Sequence, residues 1–224
     1  MQSSRRCEPR LSLHSSGGHV MTSQTTEIGL FLRRWLAHPL RVGAIMPSSR
    51  ALARLVARNA VTSPDDTVVE LGAGTGTVTR ALVEAGLDEG RLVLIELDRD
   101  LVAYLRRRFP SATVIEGDAS RPYDILPRDS IGKVDTVISG IPALQFPLEK
   151  QRQFIGQCFA AMRADGQLLQ YTYSLASPLP TAPLKLSGKR LGLAFANVPP
   201  AHLWGYTPLE GSGIGEAAAG EAAE

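Results

Sequence analysis

The period of the apolar positions changes several times along the chain, and each change marks an element. Ile28, Phe31, Leu32, Trp35 and Leu36 fall at i, i+3, i+4, i+7 and i+8, which is one face of a helix; Thr25 or Thr26 can cap it and Pro39 ends it. A second helical stripe, Leu52, Leu55 and Val56, follows Pro47-Ser48-Ser49, where Ser48 or Ser49 is a natural N-cap. Short continuous apolar runs then alternate with helical periods. The runs predict strands over Thr67–Leu71, Leu92–Leu97, Ala112–Glu116, Val134–Ser139 and Gly166–Tyr173. Between them the pattern predicts helices over Thr75–Ala85, Arg99–Phe109 (stopped by Pro110) and about Leu148–Arg163. Strands that are apolar throughout are covered on both faces, and strands alternating with helices form a parallel sheet.

The fold class expected is therefore α/β: a Rossmann-like, doubly wound sheet, mostly parallel, preceded by amphipathic N-terminal helices. After Ser174 a Pro-rich stretch (Pro178, Pro180, Pro183) leads to two runs, Arg190–Val198 and His202–Tyr206, split by Pro199-Pro200. These fit a closing antiparallel hairpin. Residues 1–24, rich in Ser, Gly and Arg and without periodicity, are expected to be disordered, as are the Gly, Ala and Glu of residues 207–224. That leaves one domain over 25–206, with 25–60 as its helical lead-in.

Charge adds one feature to this picture. The net charge is only +2, but residues 1–58 hold nine arginines against two glutamates, a net +7, so the remainder carries −5. A cationic end on an acidic body suits an anionic partner, a membrane surface or nucleic acid, as well as it suits a merely solvated basic face. No stretch reaches the roughly 20 apolar residues of a membrane span, and no apolar run follows Arg5, Arg6 and Arg10 as in a secretory signal. The two cysteines, Cys7 and Cys158, have no metal-ligand spacing, so no metal is expected and a reducing compartment is the simplest reading. Cys158 reads as a core residue rather than a reactive one.

The candidate chemistry lies where strands turn into helices. Glu70-Leu71-Gly72-Ala73-Gly74-Thr75-Gly76 follows the first strand, with glycines that let backbone approach a ligand closely. In a dinucleotide fingerprint such a loop meets a pyrophosphate. An acid beside it opposes phosphate and favours a ligand bearing an ammonium and a sulfonium. The motif resembles motif I of the class I methyltransferases, which implies S-adenosylmethionine as cofactor, bound by Glu70, Gly72, Ala73, Gly74 and Gly76. Glu96, ending the second strand, can accept both ribose hydroxyls, with Leu97 beside it; Asp98 competes for this role but also suits capping the next helix. Asp118, after the third strand, can accept from the adenine amino group with Ala119 adjacent, or serve only as a turn residue.

The fourth strand ends in Ser139-Gly140-Ile141-Pro142. Amino methyltransferases hold the acceptor here, and those acting on adenine usually carry an amide or acid first and an aromatic after the proline. Here Ser139 replaces the amide and Ala143 the aromatic, so a stacking platform for a base is missing; no nucleic-acid partner is expected. Ser139 and Gly140 are candidates for holding the amine, and Ser139 also borders the cofactor. Tyr173 is the candidate for binding a phosphate of the acceptor or relaying a proton, or is simply the exposed end of strand five. His202 reads as part of the final hairpin.

Taken together, these segments resemble the bacterial phospholipid N-methyltransferases from about Phe31 to Tyr206. The resemblance rests on Phe31-Leu32-Arg33-Arg34-Trp35, Gly43-Ala44-Ile45-Met46-Pro47-Ser48-Ser49, the cofactor loop, Ser139–Pro142, Gln170-Tyr171-Thr172-Tyr173 and Asn197–Tyr206. It implies methylation of phosphatidylethanolamine towards phosphatidylcholine by a cytoplasmic enzyme, peripherally associated with the anionic inner membrane surface. Phe31, Arg33, Arg34 and Trp35 would lie in the headgroup layer, unless Ile28, Phe31 and Trp35 pack on the core, while Met46, Pro47 and Ser48 would close over the cofactor. The cofactor half also resembles rRNA adenine dimethylases, leaving an rRNA or small-amine methyltransferase as the alternative. A non-catalytic protein binding cofactor and membrane is the third reading.

Overall fold

The computed structural model describes residues 49–197 and 200–215. The expected disordered start, the amphipathic helix with Phe31, Arg33, Arg34 and Trp35, the lid residues Met46, Pro47 and Ser48, and residues 216–224 of the expected tail lie outside the described residues.

Seven strands form one sheet in the order β3-β2-β1-β4-β5-β7-β6. They are β1 (Val68–Leu71), β2 (Leu92–Glu96), β3 (Thr113–Glu116), β4 (Val134–Ser139), β5 (Met162–Thr172), β6 (Leu186–Ala194) and β7 (Ala201–Pro208). The first five run parallel, while β7 pairs antiparallel with both β5 and β6, which is the predicted closing hairpin. The principal helices are α1 (Arg50–Ala60), α2 (Thr77–Glu84), α3 (Arg99–Arg108), the short α4 (Pro122–Ile125) and α5 (Leu148–Ala161).

The helices divide between the two faces of the sheet. On one face, Leu52 and Val56 of α1, Leu82 of α2 and Leu105 of α3 pack on Val68, Leu94, Ile138, Leu169 and Leu203. On the other, Phe154, Ile155 and Cys158 of α5 pack on Leu71, Ile95, Val137, Leu168 and Tyr206. Alternate residues of each strand feed opposite cores, as the two-residue period of a strand requires. Cys158 is fully buried, and burial alone pushes its thiol far above the ordinary value, which suits packing rather than reaction.

Two helix starts follow from cap chemistry. Ser49 Oγ accepts from Leu52 N at 3.2 Å to open α1, and Asp98 Oδ1 accepts from Asp100 N and Leu101 N at 2.9 and 3.1 Å to open α3. Two boundaries differ from the sequence pattern. β5 begins at Met162, not Gly166, because Met162 pairs with Val134 before an irregularity that restores register at Gln167 opposite Thr136. The chain also stays packed beyond 207: β7 runs to Pro208, Leu209 N donates to Lys185 O at 2.9 Å, and Ile214 rests on the α5-side core. Composition suggested a tail from residue 207 and gave no sign of this anchoring, because one isoleucine among Gly, Ala and Glu sets no period.

Candidate active site

The carboxyl ends of the parallel strands carry the site, the usual ligand position in an open α/β sheet. Backbone bonds tie these ends together: Gly72 N donates to Ile95 O at 2.8 Å, Gly117 N to Glu96 O at 3.0 Å and Gly140 N to Leu71 O at 2.8 Å. Gly72, Gly74 and Gly76 all hold positive φ. Gly76 needs glycine twice over, for its φ of +70° and because an added Cβ would lie 2.5 Å from Phe109 Cε2. Gly74, at φ +57°, meets nothing within 4 Å, so its backbone faces open space at the loop crest.

Glu96 is the pivot beneath that crest. It is 0% exposed; its Oε2 accepts from Gly74 N at 2.8 Å and its Oε1 from Leu97 N and Asp98 N at 2.8 and 3.0 Å. A carboxylate fixed by three backbone donors is held rigidly, with lone pairs remaining for a diol. Asp98 Oδ1 caps α3, the alternative role its position offered.

Glu70, 4% exposed, lies under the loop and accepts from Thr79 Oγ1 at 2.6 Å. Burial pushes its carboxyl up to about 8; the Thr79 hydroxyl opposes this and the Glu96 charge adds to it. A cation placed above the loop would reverse that penalty. Asp118 is half-buried, its Oδ1 accepting from Ser120 N at 2.9 Å in a turn, with Ala119 buried beside it. It thus forms the turn that presents it, and the turn role does not exclude the binding role.

The acceptor-side residues fall on different faces. Ser139, 1% exposed, stands in register with Leu71, so it belongs to the α5 face, and its Oγ has no hydrogen-bond partner. Gly140 sits where the loops cross: an added Cβ would lie 3.0 Å from Gly72 O, Leu71 O and Tyr171 Oη. Tyr173 packs on the α1 face, half-buried, its hydroxyl accepting from Asn197 Nδ2 at 3.2 Å. Burial raises that hydroxyl above its ordinary value against the lowering effect of the Asn197 bond, so it stays protonated and able to donate. Ser49 Oγ donates to Asn197 Oδ1, which joins the cap of α1 to the β6–β7 turn and the end of β5. Asn197 and Tyr171, both within segments that carry the family resemblance, have no polar spacing to single them out. Among the described residues, no group of three or more metal-ligating side chains stands together.

Comparison with known proteins agrees with this geometry. Residues 68–166 match the methyltransferase domain family. An ornithine lipid N-methyltransferase from Singulisphaera acidiphila is 34% identical over 146 residues, covering 64% of this chain and 76% of that enzyme. The chain belongs to the bacterial lipid-modifying family of class I S-adenosylmethionine-dependent methyltransferases. This methyltransferase also matches the ribosomal RNA small subunit methyltransferase A of Chlorobium phaeobacteroides, at 35% identity, but over only 35% of this chain and 28% of that one. Among solved structures, its fold is shared with a TehB-like methyltransferase from Corynebacterium glutamicum (17% identity, 83% of this chain and 100% of that one, TM-score 0.50). It is shared likewise with TrmN from Thermus thermophilus (15% identity, 77% and 53%, TM-score 0.55).

The site fits the cofactor of this family. The loop crest is open backbone with positive φ, a fixed buried carboxylate lies beneath it, and a second buried carboxyl is held partly protonated until a cation arrives. Glu96 could hold the ribose diol, Asp118 the adenine amino group, and Glu70 with the glycine loop the cationic amino-acid end.

Proposed function

We propose that this methyltransferase N-methylates an aminolipid at an anionic membrane surface, with phosphatidylethanolamine and its mono- and dimethyl products as substrates on the way to phosphatidylcholine. The observation that carries this reading is the 34% identity to an enzyme acting on ornithine lipid, over three quarters of that enzyme's length. Both lipids offer a primary alkylamine in a head group. Ala143, where a base-methylating site would stack its substrate, is fully buried and offers no platform, which weighs against an RNA amine.

S-adenosylmethionine, when bound, supplies an electrophilic methyl on its sulfonium. The chain's own work is to bind, orient and exclude water. The backbone carbonyls of Ser139 and Gly140 hold the amine, Tyr173 donates its hydroxyl proton to the lipid phosphate, and proximity supplies most of the rate. No helix among the described residues is long and apolar enough to cross a membrane. Attachment then falls to the basic N-terminal part, continued in the exposed Arg50, Arg54 and Arg58 of α1, which recur every four residues opposite its buried stripe.

The test is incubation with methyl-labelled S-adenosylmethionine and vesicles of anionic lipid containing phosphatidylethanolamine or ornithine lipid, alongside an RNA arm. Label in mono-, di- and trimethylated phosphatidylethanolamine is expected. Label in ornithine lipid alone would move the substrate within the class, and label in RNA alone would overturn the reading.

A further inference from the structure

Six buried side-chain polar atoms among the described residues have no hydrogen-bond partner, and four of them crowd one place: Ser139 Oγ, Gln170 Oε1, His202 Nδ1 and Trp204 Nε1. Ser139 pairs in register with Gln170, and Gln170 with Trp204, while Thr172, two residues further along β5, pairs with His202. Directly paired residues share a face, and neighbouring strands lie about 4.8 Å apart. The four therefore form a continuous polar strip on the α5 side, at the end of the sheet where the methyl acceptor must come. Ser139, Gln170 and His202 are 1%, 3% and 4% exposed. The chain after β5 covers this side: Ser177 Oγ lies 2.7 Å from Tyr206 Oη, and Leu179 and Leu184 join the same core.

An unpaired buried polar group costs about 1–3 kcal/mol, so four of them in register at one end of the sheet call for a partner. Gln170 is not loose. Its Nε2 donates to Ile141 O at 3.0 Å, which fixes the Ser139–Pro142 turn and leaves Oε1 as the open end.

We infer that this strip is the head-group subsite of the lipid acceptor, built for a primary alkylammonium with an oxygen acceptor nearby. The inference rests on the aminolipid reading above and deepens it. Ser139 Oγ, Gln170 Oε1 and His202 Nδ1 accept N–H hydrogens, and the indole N–H of Trp204 donates to a carbonyl or carboxylate oxygen of the acceptor. Ser139, Gln170 and Trp204 carry no charge, so they count N–H groups rather than net charge. Each methyl transfer would form one N–CH3 bond as the sulfonium S–CH3 bond breaks and release one N–H proton to solvent, so the nitrogen keeps one N–H fewer and the product is held progressively less well.

The test uses the full chain with vesicles containing phosphatidylethanolamine, its monomethyl or dimethyl form, or ornithine lipid. Ser139→Ala removes one acceptor, and its KM for the unmethylated lipid should rise roughly tenfold, with a smaller rise for the dimethyl lipid. Trp204→Phe should raise KM for all of them alike. Cofactor affinity should stay within about twofold of wild type in Trp204→Phe, and Tm should hold or rise in Ser139→Ala, which deletes an unsatisfied buried atom. Gln170→Met, which also frees the Ile141 carbonyl, should lower kcat as well. Acceptor KM unchanged in Ser139→Ala and Trp204→Phe, or a KM rise independent of methyl count in Ser139→Ala, overturns the subsite. Wild-type protein that methylates none of these lipids overturns the aminolipid reading and the subsite with it.

Discussion

Around β1–β3 the buried carboxylates have partners: Glu96 takes three backbone hydrogen bonds and Glu70 one from Thr79. Around β4, β5 and β7, Ser139 Oγ, Gln170 Oε1, His202 Nδ1 and Trp204 Nε1 have none. One half of the sheet is finished before any ligand arrives, and the other is left open. A cofactor that is the same at every turnover rewards a rigid, preorganised cradle. An acceptor that changes by one methyl at each step is better served by groups with free valence.

The sharpest way to break this contrast is Glu96→Ala. The substitution removes the proposed ribose contacts and orphans the N–H groups of Gly74, Leu97 and Asp98. Two charge-assisted hydrogen bonds at about 1.5–3 kcal/mol each correspond to roughly 10²–10⁴ in cofactor affinity. Calorimetric titration with S-adenosylhomocysteine should show that loss, whereas Trp204→Phe should bind it normally. Near-normal cofactor binding by Glu96→Ala would place the ribose elsewhere.

How much of this was legible in the sequence differs between the same two halves. The cofactor half is written locally: Glu70 to Gly76 is one strand-to-helix turn, and Glu96 and Asp118 end consecutive strands. The choice of Glu96 over Asp98 follows from strand position, since Asp98 lies one residue from a helix start that needs a cap. β4 matches its apolar run residue for residue. The acceptor half is written in pairings. Gln170 and Trp204 meet only through the antiparallel register of β5 and β7, and Ser49 finds Asn197 across 148 residues. No period in the chain encodes such register. The same limit hid the opposite facing of Ser139 and Tyr173, because a two-residue period assigns faces within a strand but not which helix covers each.

Glu70 gives the second test, with a sign fixed by its titration. The unfolded chain releases this proton near 4.5, whereas the folded protein keeps it up to about 8. Between those values the folded state binds more protons, so stability falls as pH rises and the loss is complete above about 8. Glu70→Gln removes the penalty. Its Tm should match wild type near pH 4.5 and exceed it by a margin that grows until about pH 8, at ~2–4 °C per kcal/mol. Cation binding favours the ionised carboxylate, so wild-type affinity for S-adenosylmethionine should rise towards pH 8 by up to about tenfold per unit, and the variant's should not. A constant Tm gap across this range would show that Glu70 is already ionised.

The smallest effect is expected at Asn197, which belongs to the acceptor half but touches neither the strip nor the glycine loop. Its amide accepts from Ser49 Oγ and donates to Tyr173 Oη, so it links α1, the β6–β7 turn and the end of β5. Asn197→Ala deletes both bonds at a net cost of about 1–2 kcal/mol, a fall in Tm of roughly 2–8 °C. Ser49 keeps its bond from Leu52 N and still caps α1. Cofactor affinity should therefore be unchanged, while KM for vesicle lipid should rise a few-fold as Tyr173 loses the group that orients it. Tyr173→Phe in the Asn197→Ala background separates the two roles. If Asn197 acts through Tyr173, the second change adds little to KM; if KM rises by the full product of the single effects, Asn197 serves the fold alone and Tyr173 meets the lipid independently of it.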